Sequence, residues 1–178
     1  MRADAARNLE AVLTTGAWML AQDPSASISA IAAEAGVDRR TVYRRFASRE
    51  ELLAAIYDSR LAAVEEVVDA ARFTETAVPV ALHRYVEGII EVNRRWPVEL
   101  TRMRAEPSIQ DRRNRLSAEV ETFLRRATDE GFLRSDIPDG WAGRLLVQLL
   151  HLASREDMDA PRAADLLVET FLDGVGVR

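Results

Sequence analysis

Residues 27–49 run SISAIAAEAGVDRRTVYRRFASR, and the fold turns on them. Ser27 is a natural N-cap, because its hydroxyl can accept an N–H that the first helical turn leaves unpaired. Ile28, Ile31, Ala32 and Ala35 follow at helical spacing. Gly36 stands where a helix commonly ends on a left-handed residue. Val37 returns to the core. Asp38 can cap a second, short helix from Arg39 to about Phe46. Ser48-Arg49-Glu50-Glu51 has the S-x-x-E form of a capping box and opens another helix. The order is helix, glycine turn, short helix.

The short helix is also the most basic part of the chain. Between Asp38 and Arg49 five arginines stand against one aspartate, a net +4 within a chain of formal net charge -5, so the remainder carries -9. At about 100° per residue, Val42 and Phe46 share one side and should face the core. Arg40 and Arg44 lie opposite, one turn apart, with Thr41 and Tyr43 flanking them and Arg39 and Arg45 nearer the core edge. An i,i+4 pair of like charges costs an isolated helix about 0.2–0.5 kcal/mol. Cations in a first turn are also disfavoured by the helix dipole. Folding asks for neither penalty, and a polyanion on that face reverses both. A helix of about 12 Å fits a DNA major groove, and arginine is shaped to grip guanine O6 and N7.

Working outward, the 178 residues suit one domain or a small domain joined to a larger one. The 48% hydrophobic content is enough for a core, and the 30% charged content is too high for a membrane protein. No apolar run approaches the roughly 18 residues of a spanning helix, and the start, MRADAARNLE, lacks a secretory signal's apolar block. With no cysteine, disulfides and thiolate chemistry are excluded, as the cytoplasm allows.

The periodicity predicts helices nearly throughout. The first carries Leu9, Val12, Leu13, Gly16, Ala17 and Leu20 on one stripe and breaks at Asp23-Pro24-Ser25. The fourth, after Ser48, reaches about Arg72 with Leu52, Leu53, Ile56, Leu61, Val64, Val67 and Val68. Pro79 starts a fifth, with Leu82, Val86, Ile89 and Asn93 inward. Pro97 and Pro107 bracket a short sixth. Ser108 caps a seventh, with Leu116, Val120, Phe123, Leu124 and Ala127 inward, ending at Gly131. GFLRSDIPDG is a loop. Helices from Trp141 to about Ser154 and from Ala160 to about Asp173 complete a count of about nine, with no convincing strand and a seam near Ser48.

IAAEAGVDRRTVYRRFASREELL resembles the signature of the TetR family of bacterial transcriptional regulators, over roughly Ser25 to Ile56. That signature is an IA-x-x-AGV turn, a short T-[LV]-Y-x-x-F recognition helix and a Ser-Lys/Arg-Glu-x-Leu start to the next helix. The remainder is similar by layout, including a G-F-L-R-x-D loop before the penultimate helix. The resemblance implies an all-α fold. A three-helix bundle with the helix-turn-helix (residues 1–47, DNA-binding) would precede a larger helical domain for effector binding and dimerisation (residues 48–178). It assigns DNA contacts residue by residue. Ser27 matches a phosphate-touching position. Arg39, Thr41 and Tyr43 match recognition positions that meet phosphates or base edges. Arg44 matches a position of varying sequence preference, Arg45 a frequent phosphate contact, and Arg49 a phosphate clamp. Two positions depart from the pattern: Asp38 stands where Ser is commoner, and Arg40 where Gly or another small residue is frequent, which allows an added direct contact.

One short helix reads few base pairs, and a two-fold dimer on a palindromic duplex doubles them. The last two helices are too apolar round their circumference for surface helices. With the family's four-helix interface, this points to Leu145, Leu149, Leu152, Leu167, Phe171 and Leu172 as contacts between copies. By the same resemblance the middle helices surround a small-molecule effector pocket, for which Trp96, Met103, Phe123 and Trp141 are the candidate lining. As isolated residues these read as ordinary core positions. His83 and His151 have no ligand spacing around them, so no metal and no cofactor is expected. The expected protein is a cytoplasmic, homodimeric repressor that binds double-stranded DNA and is released by an effector. Two rivals stand beside it: a small helical enzyme and a helical interaction module. Against the enzyme, there is no Gly-rich phosphate loop, H-E-x-x-H or nucleophile elbow.

Overall fold

The computed structural model describes residues 2–98 and 107–177. Among them are eight helices: α1 (Arg2–Gln22), α2 (Ile28–Glu34), α3 (Arg39–Arg45), α4 (Arg49–Ala71), α5 (Val78–Arg95), α6 (Pro107–Asp129), α7 (Trp141–Ala153) and α8 (Ala160–Val175). The all-α expectation is met. The short helix expected between Pro97 and Pro107 falls mostly outside the described residues. The helix expected after Ser108 begins at Pro107 instead.

Two compact units divide inside α4. The first runs through Ala62 and takes in the segment that begins at Arg95; the second holds Ala63–Arg94 and the C-terminal helices. The boundary therefore lies beyond the expected seam near Ser48, because the front of α4 is built into the first unit. Leu52, Ile56 and Leu61 are fully buried there. A Cβ placed on Gly16 of α1 would come within 2.9 Å of Ile56 Cδ1, so the two helices approach across a position that only hydrogen fills. On α1 the expected stripe is the observed one: Val12, Leu13, Gly16, Ala17 and Leu20 are buried, and Leu9 is half-buried. Arg95 pairs with Glu10 of α1, and Arg60 Nε donates to the Trp96 carbonyl at 3.0 Å.

In the second unit α5 buries Leu82, Val86, Ile89 and Ile90. Phe73 stacks on Phe123 of α6 at 4.3 Å between ring centroids and tilts against Tyr85 at 5.5 Å. Arg94 reaches the carbonyls of Ala153, Ser154 and Glu156, covering acceptors that the end of α7 leaves unpaired. The start of the loop before α7 is pinned to the end of α8. Leu133 and Gly176 form an isolated antiparallel bridge, with Arg134 N–H donating to the Val175 carbonyl at 2.8 Å. No helix among the described residues is long and apolar enough to cross a membrane.

Candidate nucleic-acid interface

The turn between α2 and α3 is set by local chemistry. The Ser27 hydroxyl accepts from the Ala30 N–H at 3.1 Å and starts α2. At its other end the Gly36 N–H donates to the Ala33 carbonyl (3.1 Å) and the Val37 N–H to the Ala32 carbonyl (3.0 Å). This paired closure needs a left-handed residue, and Gly36 supplies it at φ +65°. Asp38 then accepts from the N–H groups of Arg40 and Thr41, at 2.9 and 3.3 Å, and opens α3. At the start of α4 Ser48 accepts from the Glu51 N–H at 3.2 Å, and Glu51 reaches back to the Ala47 N–H at 2.8 Å. The reciprocal cap predicted from the sequence therefore forms one residue wider on its return arm.

The wheel of α3 is the expected one. Val42 and Phe46 are buried, and Arg39, Arg40, Tyr43, Arg44 and Arg45 are exposed, with Thr41 half-buried. Tyr43 is 40% exposed, and its hydroxyl lies 3.4 Å from Ser29 Oγ on α2. Arg39 sits over the Tyr43 ring, its Cζ 5.1 Å from the centroid. The Ser29 hydroxyl, and then the Arg39 guanidinium, hold the Tyr43 phenol below its ordinary pKa. Arg40, Arg44 and Arg45 have no carboxylate partner among the described residues.

Arg49 is placed differently from its sequence assignment. Its guanidinium turns onto the loop between α1 and α2, donating to the carbonyls of Pro24 and of Ala26 (3.3 Å for the latter). Asp23 in the same loop accepts from the Ser25 N–H and hydroxyl, at 2.8 and 2.6 Å. These bonds, and then Arg49, hold its carboxyl below the usual aspartate range. Arg49 thus braces the loop that delivers Ser27. Ser29 was missed in the sequence, since no local pattern ties a residue on α2 to one on α3.

The candidate pocket residues are distributed as follows. Trp96 is buried in the first unit and Phe123 in the aromatic stack of the second, Trp141 is 49% exposed, and Met103 lies outside the described residues. The second unit does carry a cleft of about 260 Å³ lined by Glu65, Asp69, Arg112, Arg115, Leu116 and Glu119. Its polar walls are partly satisfied already, because Arg112 grips both Glu65 oxygens at 2.8 and 2.7 Å. Two expected contacts between copies need correcting. Leu167 and Phe171 are buried in their own unit at 3% and 0% exposure, so their side chains are already covered within one copy. Leu145, Leu149 and Leu172 are half-buried, and Leu152 is exposed, as are Val147 and Leu166.

A short helix with bare guanidinium groups outward, locked by a left-handed glycine turn against the helix before it, defines a helix-turn-helix DNA-binding protein. The family model for bacterial regulatory proteins of the tetR family matches residues 21–56. The HTH-type transcriptional repressor LfrR of Mycolicibacterium smegmatis is 29% identical over 181 residues, covering 95% of this chain and 90% of LfrR. The crystal structure of LfrR in complex with proflavine has a TM-score of 0.72 at 24% identity, covering 97% of this chain and 99% of that one. The ketosteroid regulator KstR2 of Mycobacterium tuberculosis has a TM-score of 0.78 at 18% identity, with 94% of each chain covered. The chain resembles the TetR family in its helix-turn-helix and, over nearly its whole length, the repressor LfrR, and it is a DNA-binding transcriptional regulator.

Proposed function

We propose that this regulator is a homodimeric repressor that acts in the cytoplasm on a palindromic operator and is released from it by a small molecule. The observation that carries the DNA reading is the outward pair Arg40 and Arg44, exposed on a helix anchored by Val42 and Phe46. Ser27, Arg39, Thr41, Tyr43 and Arg45 surround that pair as phosphate and rim contacts, with Arg49 as a brace behind them. The first unit is the DNA-binding part, and the second carries dimerisation and effector response. Val147, Leu152 and Leu166 leave apolar side chains exposed on α7 and α8, with Leu145, Leu149 and Leu172 half-covered beside them. A second copy would bury this face. Effector response draws support from LfrR, solved in complex with proflavine. An effector releases DNA only if it binds one dimer state better than the other.

The test is fluorescence anisotropy of the purified chain on labelled duplex across a salt series. Affinity should fall steeply as salt rises, because phosphate contacts release counterions. Absence of duplex binding at low ionic strength would end this reading. A ligand that raises the melting temperature and releases the duplex would establish effector control.

A further inference from the structure

We propose that Arg40 and Arg44 each read a guanine, so that every half-site carries two G·C pairs no more than two base-pair steps apart. This rests on the DNA reading above and deepens it. The five cations between Arg39 and Arg49 are not equivalent. Arg39 lies over the Tyr43 ring, and Arg49 is spent on loop carbonyls. Arg45 projects nearer the buried edge, about 80° round the wheel from the Val42–Phe46 direction. Arg44 lies directly opposite that buried edge, and Arg40 is one turn earlier on the same face. Both are exposed and without a carboxylate partner among the described residues.

An arginine fork carries only donors. In the major groove guanine offers two neighbouring acceptors, N7 and O6, whereas adenine offers an acceptor beside a donor and cytosine a donor. A donor-only fork is therefore satisfied twice by guanine alone. Four residues of helix advance about 6 Å, and base pairs along a strand are about 3.4 Å apart. Both forks then fall within one half-site, fewer than two steps apart when α3 follows the groove.

The experiment uses the full chain. Duplexes are selected from a random pool and sequenced. The selected site is then remade with 7-deazaguanine, which replaces N7 by a C–H, at each conserved guanine in turn. Two guanines per half-site at the stated spacing are expected, with roughly a tenfold loss of affinity for each replacement. Arg44→Ala should abolish the sensitivity at one position only, and Arg40→Ala at the other. Since the first readout changes the DNA and not the protein, it does not depend on a variant folding. Tight selected sites that lack the guanines, or that ignore 7-deazaguanine, would overturn the assignment while leaving duplex binding intact. Equal retention of every sequence would do the same. Retention of no duplex at low ionic strength would overturn both.

Discussion

Arg49 illustrates what a residue's neighbours in sequence reveal and what they hide. Ser27, Gly36, Asp38 and Ser48 act on backbone groups within a few positions, so their roles were legible from spacing alone. Arg49 acts on carbonyls 23 and 25 positions earlier, and nothing in its own surroundings announces them. The family resemblance implied a phosphate clamp at this position. The observed contacts imply a different mutant phenotype from a direct phosphate clamp. Arg49→Ala leaves the Pro24 and Ala26 carbonyls without their charged donor, so urea unfolding should show a loss of about 1–3 kcal/mol. Affinity for duplex should fall evenly across sequences, because the displaced loop carries Ser27 and no base reader. Unchanged stability with weakened binding would mean that the guanidinium leaves the loop for phosphate.

At the scale of elements, helical periodicity located α1 to α5, α7 and α8 closely because each has one buried stripe or sharp caps. It could not separate a helix's own core from a face between copies. Leu167 and Phe171 are apolar positions on α8, just as Leu166 and Leu172 are, and only packing shows which are already covered. The seam expected near Ser48 rests on a cap. A cap marks where a helix starts, whereas α4 serves the first unit for several turns beyond its cap. Gly16 tests that join between α1 and α4. Gly16→Ala brings a methyl against the far end of the Ile56 side chain, which can swing aside, and should cost less than about 1 kcal/mol. Gly16→Val adds branches with no room to yield and should lower stability by about 1–3 kcal/mol in denaturant unfolding. Equal tolerance of both would show that the helices do not approach at this point.

For the whole molecule, the second unit's response to acid follows from the Glu65–Arg112 pair. Hydrogen bonds from Arg112, with the charges of Arg112 and Arg115 behind them, hold the Glu65 carboxyl below its ordinary value against a smaller cost of burial. A carboxylate with a depressed folded pKa adds stability above its unfolded value, about 4.3. That stability is lost as pH falls through the lower folded value. Glu65→Gln lacks this contribution, so the variant should be less stable than the parent at pH 7, and the difference should shrink in melts below about pH 4. A gap that is constant with pH would mean that the pair contributes nothing through ionisation. The proposed dimer rests on the exposed apolar side chains of α7 and α8. Leu152 and Leu166 are 58% and 54% exposed, so a charge at either position meets water in a monomer and costs little. In a dimer that buries this face the same charge would be desolvated without a partner, a penalty of several kcal/mol per ion. Leu166→Glu should therefore keep the helical content and melting behaviour of a folded chain while sedimenting as a monomer at micromolar concentration. Its affinity for a palindromic duplex should collapse towards that of a single half-site, because each copy then binds alone. A Leu166→Glu protein that still sediments as a dimer would move the interface elsewhere on the second unit.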